Sequence, residues 1–136
     1  MEQGLKLLNS RLTKVSGERN VDFSGKITMK QNIKIKKMEK FKPKDSKIES
    51  LKANYSFEID YGDLGGVEVE GILFIGADSK TLKAILSEYE AKKFDSVEQV
   101  TIMNMIIQKA SLRAFEIEDE LGLPIHIRLP QLSPKQ

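Results

Sequence analysis

Apolar residues fall on odd positions from Val21 to Ile35 (Val21, Phe23, Ile27, Met29, Ile33, Ile35), a period of two interrupted at Gly25 and Gln31. Such a repeat places alternate side chains on opposite faces of a strand. From Leu51 to Tyr61 the alternation is cleaner: Leu51, Ala53, Tyr55, Phe57, Ile59 and Tyr61 share one face, while Glu58 and Asp60 take the other. Between these strands, Lys42 to Lys47 holds turn-forming polar residues and Pro43, which cannot donate to a ladder. Gly62 to Gly66 reads as a hairpin loop of residues that tolerate positive φ. Val67 to Ile75 then predicts a further strand, whose second half is apolar on both faces through Ile72 and Phe74.

The period changes at Ser79. Leu82, Ile85, Leu86 and Tyr89 recur at helical spacing, with Asp78 or Ser79 as N-cap and an end near Lys93. Ser96 followed by Gln99 forms a capping box ahead of a second apolar stripe, Val100, Met103, Ile107, Ala110, Ala114, Ile117 and Leu121, widened by Ile102, Ile106 and Phe115. Gly122 stands where a helix stops. About 25 residues at 1.5 Å each predict a helix of roughly 37 Å, long enough to touch more than one neighbour. Leu123 to Pro130 alternates apolar and polar residues between two prolines and predicts an extended surface segment, with Ser133 to Gln136 frayed. The opening is ambiguous, because Leu5, Leu8, Leu12 and Val15 fit a helix while Leu8, Ser10 and Leu12 fit a strand.

Charge sharpens this pattern. Nine lysines lie between Lys26 and Lys47 against two acids, whereas Glu49 to Glu70 holds six acids and the single base Lys52. If the strands pair antiparallel, Lys26, Lys30, Lys34 and Lys36 face the same side as Glu58, Asp60, Glu68 and Glu70, giving a charged outer face and an apolar inner one. At 136 residues, with 40% hydrophobic and 31% charged positions, the chain is expected to form a single domain with its own core. The net charge of +2 does not by itself argue for nucleic acid or an anionic membrane. Without cysteine there is no disulfide, thiolate nucleophile or cysteine-held metal. The absence of a long apolar run or signal-like opening leads to the expectation of a soluble, cytoplasmic protein.

Catalytic chemistry has few supports. His126 is the only histidine and is expected to be exposed in the extended tail, so a two-histidine metal site within one chain is excluded. Glu116, Glu118, Asp119 and Glu120 are expected on a solvated helix face. Gly62 to Gly66 lacks the order and the following helix of a phosphate cradle. No enzyme, cofactor or metal is therefore expected. Nucleic-acid binding through Lys30, Lys34, Lys36, Lys37 and Lys40 is the alternative that charge raises, weakened by having only four arginines and no aromatic pair on the outer face of that strand. More distinctive are apolar residues at turns and extensions: Met38 and Phe41 at the end of the basic strand, Leu64 in the hairpin loop, and Ile125, Ile127, Leu129 and Leu132 in the tail.

The order of elements, strands, a helix, a long helix and a proline-bounded tail, resembles that of the SecB-like chaperones. RLTKVSGER (11–19) looks like their first strand, although Gly17 stands where an aromatic residue is common. NIKIKKMEKF, ANYSFEIDYGDLGGVEVEGILFIG and AFEIEDELGLPIHIRLPQL are similar to archaeal and uncharacterised relatives. The resemblance implies an α+β fold, a four-stranded antiparallel sheet with both helices on one face, assembled as a homodimer or homotetramer. The candidate contact between copies is Val100, Met103, Ile107 and Ala110. The resemblance further implies an ATP-independent holdase that keeps unfolded polypeptides in apolar grooves, in some members tied to toxin–antitoxin systems. Met38, Phe41, Leu64, Ile125, Ile127, Leu129 and Leu132 are the candidate client contacts, methionine being able to repack around many sequences. Transfer of clients to the SecA motor uses an acidic sheet surface in the bacterial chaperone and is not carried over to this +2 chain with its lysine-rich strand.

Overall fold

The computed structural model describes residues 5–42 and 49–127. Four strands, β1 (Lys6–Arg19), β2 (Lys30–Phe41), β3 (Ser50–Asp60) and β4 (Gly65–Gly76), precede two helices, α1 (Ser79–Glu90) and α2 (Val97–Leu121). The sheet runs in the order β1-β4-β3-β2 with every pair antiparallel. Two hairpins join β2, β3 and β4, and residues 20–29 carry the chain from β1 at one edge to β2 at the other. The architecture is the expected α+β one.

The ambiguous opening is a strand. Two bulges explain why its pattern fits neither period: register shifts fall between Leu7 and Asn9 and between Leu12 and Lys14. Each extra residue reverses the alternation. Leu7, Ser10, Leu12, Val15 and Gly17 therefore share the helix-facing side, opposite Ile75, Leu73, Gly71, Val69 and Val67. The resulting mixture of steps of two and three resembles helical spacing. Gly17 also has a packing role, since a Cβ there would lie 2.6 Å from Ile117 Cγ2, so its bare backbone lets the end of α2 settle on the strand.

The strand expected from Val21 onward begins only at Lys30. A turn at Val21 and Asp22, closed by Phe23 N donating to Asn20 O at 3.2 Å, and Gly25, at φ 139°, interrupt the strand between 20 and 29. In β2 a bulge between Ile35 and Lys37 again reverses the faces: Ile33 and Ile35 point inward, then Met38, while Phe41 turns outward.

The inner face is the core. Leu51, Ala53, Tyr55, Phe57, Ile59 and Tyr61 from β3 and its end, with Val67, Val69, Leu73 and Ile75 from β4, are each no more than 4% exposed. Burial raises the pKa of the Tyr55 phenol. Leu82 and Ile85 of α1 and Ile102, Ile106, Ala110, Ala114 and Ile117 of α2 cover that face, α2 lying over β1, β4 and β3 and α1 over β2. On the outer face the anticipated pairing of opposite charges is realised in part, as Lys36–Glu70 at 3.2 Å, with Lys14–Glu68 at 3.0 Å from β1. The hydrogen bond to Glu68 and its charge raise the Lys14 pKa, and the hydrogen bond from Lys14 lowers that of Glu68.

Both predicted N-caps form. Asp78 Oδ1 accepts from Thr81 N at 2.8 Å and Ser96 Oγ from Gln99 N at 3.1 Å. The capping box is not closed from the other side, because the Gln99 amide donates to Ile85 O at 3.0 Å and so ties α2 to α1. Ser96→Ala is expected to lower unfolding free energy by about 1 kcal/mol, measured by urea denaturation. The Thr81 backbone N–H and hydroxyl hold the Asp78 carboxyl below the usual aspartate range. That stabilisation is complete above the unfolded-state pKa of about 3.9 and is lost as pH falls through the depressed folded value. Asp78→Asn is therefore expected to flatten the acid limb of a stability profile below about pH 4.

Candidate functional site

The end of the sheet where β3 turns into β4 gathers three segments. Tyr61 and the short 3₁₀ turn Gly62–Leu64 form its floor. The crossing segment is tied to that turn by Asn20 N donating to Leu64 O at 2.7 Å and by Thr28 lying beside Gly62. The chain after α2 returns to the same place, with Tyr61 Oη 2.9 Å from Pro124 O. Gly122 stops α2 in the left-handed conformation at φ 68°, as its position predicts, and Arg19 Nη1 donates to Leu121 O at 3.0 Å. That guanidinium supplies the positive charge which the acid-rich last turn of α2 lacks.

Beneath this region is a buried polar cluster. Tyr61 donates to Glu118 Oε2. His126 donates its backbone N–H to Glu118 Oε1 at 3.2 Å, and His126 Nδ1 lies 2.7 Å from the same oxygen. The side chains of Glu118 and His126 are 0% and 1% exposed, and the His126 ring packs 5.6 Å from that of Phe57. Burial, then the Glu118 carboxylate, pushes the Tyr61 phenol pKa strongly upward. Two expectations are corrected here: His126 is not an exposed tail histidine, and Glu118 is not on the solvated face of α2. Ala110, Ala114 and Glu118 are spaced by fours, so Glu118 continues the inward stripe, and its carboxylate there receives the donors of the returning tail. Fully buried at Glu118, the cluster anchors the chain that follows α2 to the end of the sheet.

Above the anchor, apolar side chains stand in water: Val21 is 84% exposed, Ile27 49%, Met29 37% and Ile125 39%. Half-buried Phe23 roots the crossing segment in the core and half-buried Ile127 accompanies Ile125. The alternation of Val21, Ile27 and Met29 predicts one face of a strand, which does not form there. Their exposure follows from the ladder starting later, and the interruption at Gly25 was its sequence signal.

The seven candidate client contacts do not converge. Ile125 and Ile127 lie at this end, but Leu64, at 3% exposure, is packed under the turn. Met38, at 6%, belongs to the core, and Phe41 is at the far end of the sheet, roughly 33 Å away along β3. Leu129 and Leu132 lie outside the described residues. On α2, Val100 and Ile107 are exposed and Met103 is half-buried, whereas Ala110 is fully buried against the sheet. Of the lysines, Lys36 pairs with Glu70 and Lys37 with Glu39. Lys30 and Lys34 share the outer face, and Lys40, opposite Leu51, takes the other side. Among the described residues no group of acidic side chains and histidine is arranged to hold a metal ion, and no helix is long and apolar enough to cross a membrane.

No protein-family model matches the sequence, and no curated protein matches it. The fold is similar to that of a SecB-like chaperone from Mycobacterium tuberculosis, solved in complex with a ChAD peptide from an antitoxin. The two are 12% identical, with a TM-score of 0.52 over 97% of this chain and 93% of that one.

Proposed function

We propose that the chain is a non-enzymatic, ATP-independent binding protein for extended, unfolded polypeptide segments, acting as a holdase. The observation that carries this reading is the exposed apolar surface of Val21, Ile27, Met29 and Ile125 at the anchored end of the sheet. Soluble chains rarely leave so many large apolar groups in water on adjoining segments unless a partner covers them. A methionine among aliphatic groups accepts many side-chain shapes, which suits a binder of varied sequences. The Mycobacterium protein of similar fold binds a peptide, which agrees with this role.

A second copy is proposed to pack on α2 through Val100, Met103 and Ile107, giving a homodimer or homotetramer. Ile107→Glu places a charge in that contact and is expected to reduce the mass seen by light scattering to that of a monomer. For the client surface, Ile27→Ser combined with Ile125→Ser is expected to lower suppression of aggregation of a reduced, denatured client at least about threefold, since each lost apolar contact contributes about 1 kcal/mol or more. Undiminished suppression by that variant would place client binding elsewhere.

A further inference from the structure

The outer face of the sheet is not uniformly charged. Glu58, Glu68 and Glu70 occupy its turn end, but at the opposite end Phe41 and Phe74 pack with ring centroids 5.0 Å apart and planes tilted by 55°. Leu8 joins them by leaning over Gly76, where a Cβ would meet its side chain at 3.2 Å. Ile72 is the next outward residue of β4. Phe41 is 37% and Leu8 49% exposed, with Phe74 and Ile72 half-buried. Around this patch the register places Arg11 beside Ile72, Lys37 beside Asn54 and Lys52 beside Phe74. Its acid, Glu39, stands opposite Lys52 in the register but lies 3.6 Å from Lys37, and Arg11 and Lys52 form no ion pair among the described residues.

We propose that this end of the outer face is a second docking surface, separate from the client surface, for an acidic polypeptide segment carrying aromatic or aliphatic side chains. The apolar residues of such a segment would cover Phe41, Phe74, Leu8 and Ile72, while its carboxylates meet Arg11 and Lys52. Charge complementarity selects the partner, because a basic segment would bring like charges together. The surface suits side chains rather than nucleic-acid bases: its two rings are tilted to one another and flanked by aliphatic groups, not laid out as a flat stacking platform.

The test uses the full chain and fluorescence anisotropy with two labelled peptides of about twelve residues, Phe and Leu alternating with Glu in one and with Lys in the other, and a single-stranded oligouridylate. The glutamate peptide is expected to bind at least about tenfold more tightly than the lysine peptide and to weaken as salt rises. Phe41→Ser and Lys52→Glu are each expected to weaken it about tenfold, and the preference for the glutamate peptide over the lysine peptide is expected to persist when Ile27→Ser and Ile125→Ser remove the client surface. The proposal is overturned if Lys52→Glu and Phe41→Ser bind like wild type, or if the lysine peptide binds as tightly as the glutamate peptide in the Ile27→Ser, Ile125→Ser variant. It is equally overturned if the oligouridylate competes with the peptide and loses affinity in the same two variants, which would make the surface a nucleic-acid site.

Discussion

Replacing Glu118 with leucine is expected to reduce the unfolding free energy by about 3–5 kcal/mol, the range for breaking a buried, hydrogen-bonded charge cluster from one side. The carboxylate receives Tyr61 Oη, the His126 backbone N–H and, at 2.7 Å, His126 Nδ1. Leucine accepts none of these, and both His126 donors would then be buried without a partner. The Tyr61 hydroxyl can turn to Pro124 O, 2.9 Å away, so the damage centres on the returning tail. Urea denaturation should show the loss as a lower midpoint, and hydrogen exchange of residues 123–127 should quicken. Glu118→Gln retains acceptor oxygen and is expected to cost about 1 kcal/mol. Equal losses for leucine and glutamine would show that hydrogen bonding is not what holds the tail.

The second large effect is expected at Gly65. Its backbone, at φ 149° and ψ −158°, occupies a region essentially closed to residues with a Cβ. An added methyl would also be driven into the Glu18 carbonyl oxygen across the β1–β4 pair, a backbone atom that no side-chain rotation can clear. Gly65→Ala is accordingly expected to cost about 3 kcal/mol or more. Gly66→Ala is the control: it has no such backbone conformation and meets only Ile59 O at 3.2 Å, so a loss of about 1 kcal/mol or less is expected. Thermal unfolding of the pair checks this, and comparable midpoints for the two would contradict it.

Much of the fold is legible in the chain. Strands β3 and β4 keep an unbroken period of two, and α1 and α2 carry their caps in the sequence, so their limits follow from local chemistry. Strands β1 and β2 are harder, because bulges near Leu8, Thr13 and Lys36 shift the alternation partway along each. Bulges are set by pairing with a neighbour, and single-strand periodicity does not encode them. The same shift sent Phe41 outward and Met38 inward, which separated residues that adjacency had grouped. Of the seven candidate client contacts, only Ile125 and Ile127 lie at the end of the sheet where the chain after α2 is anchored. Leu64 is apolar because it fills the floor of the turn, and Glu118 is acidic because a tail eight residues farther on needs an acceptor. Neither requirement is visible until the tail and the turn are brought together.

Binding of unfolded polypeptide is the claim on which the account depends. Its most direct measurement is size-exclusion chromatography with light scattering on the full chain, alone and mixed at stoichiometric ratio with a reduced, denatured client protein. An assembly of two or more copies that co-elutes with the client and keeps it from aggregating is expected. A chain that elutes unchanged while the client aggregates at its uninhibited rate would contradict it.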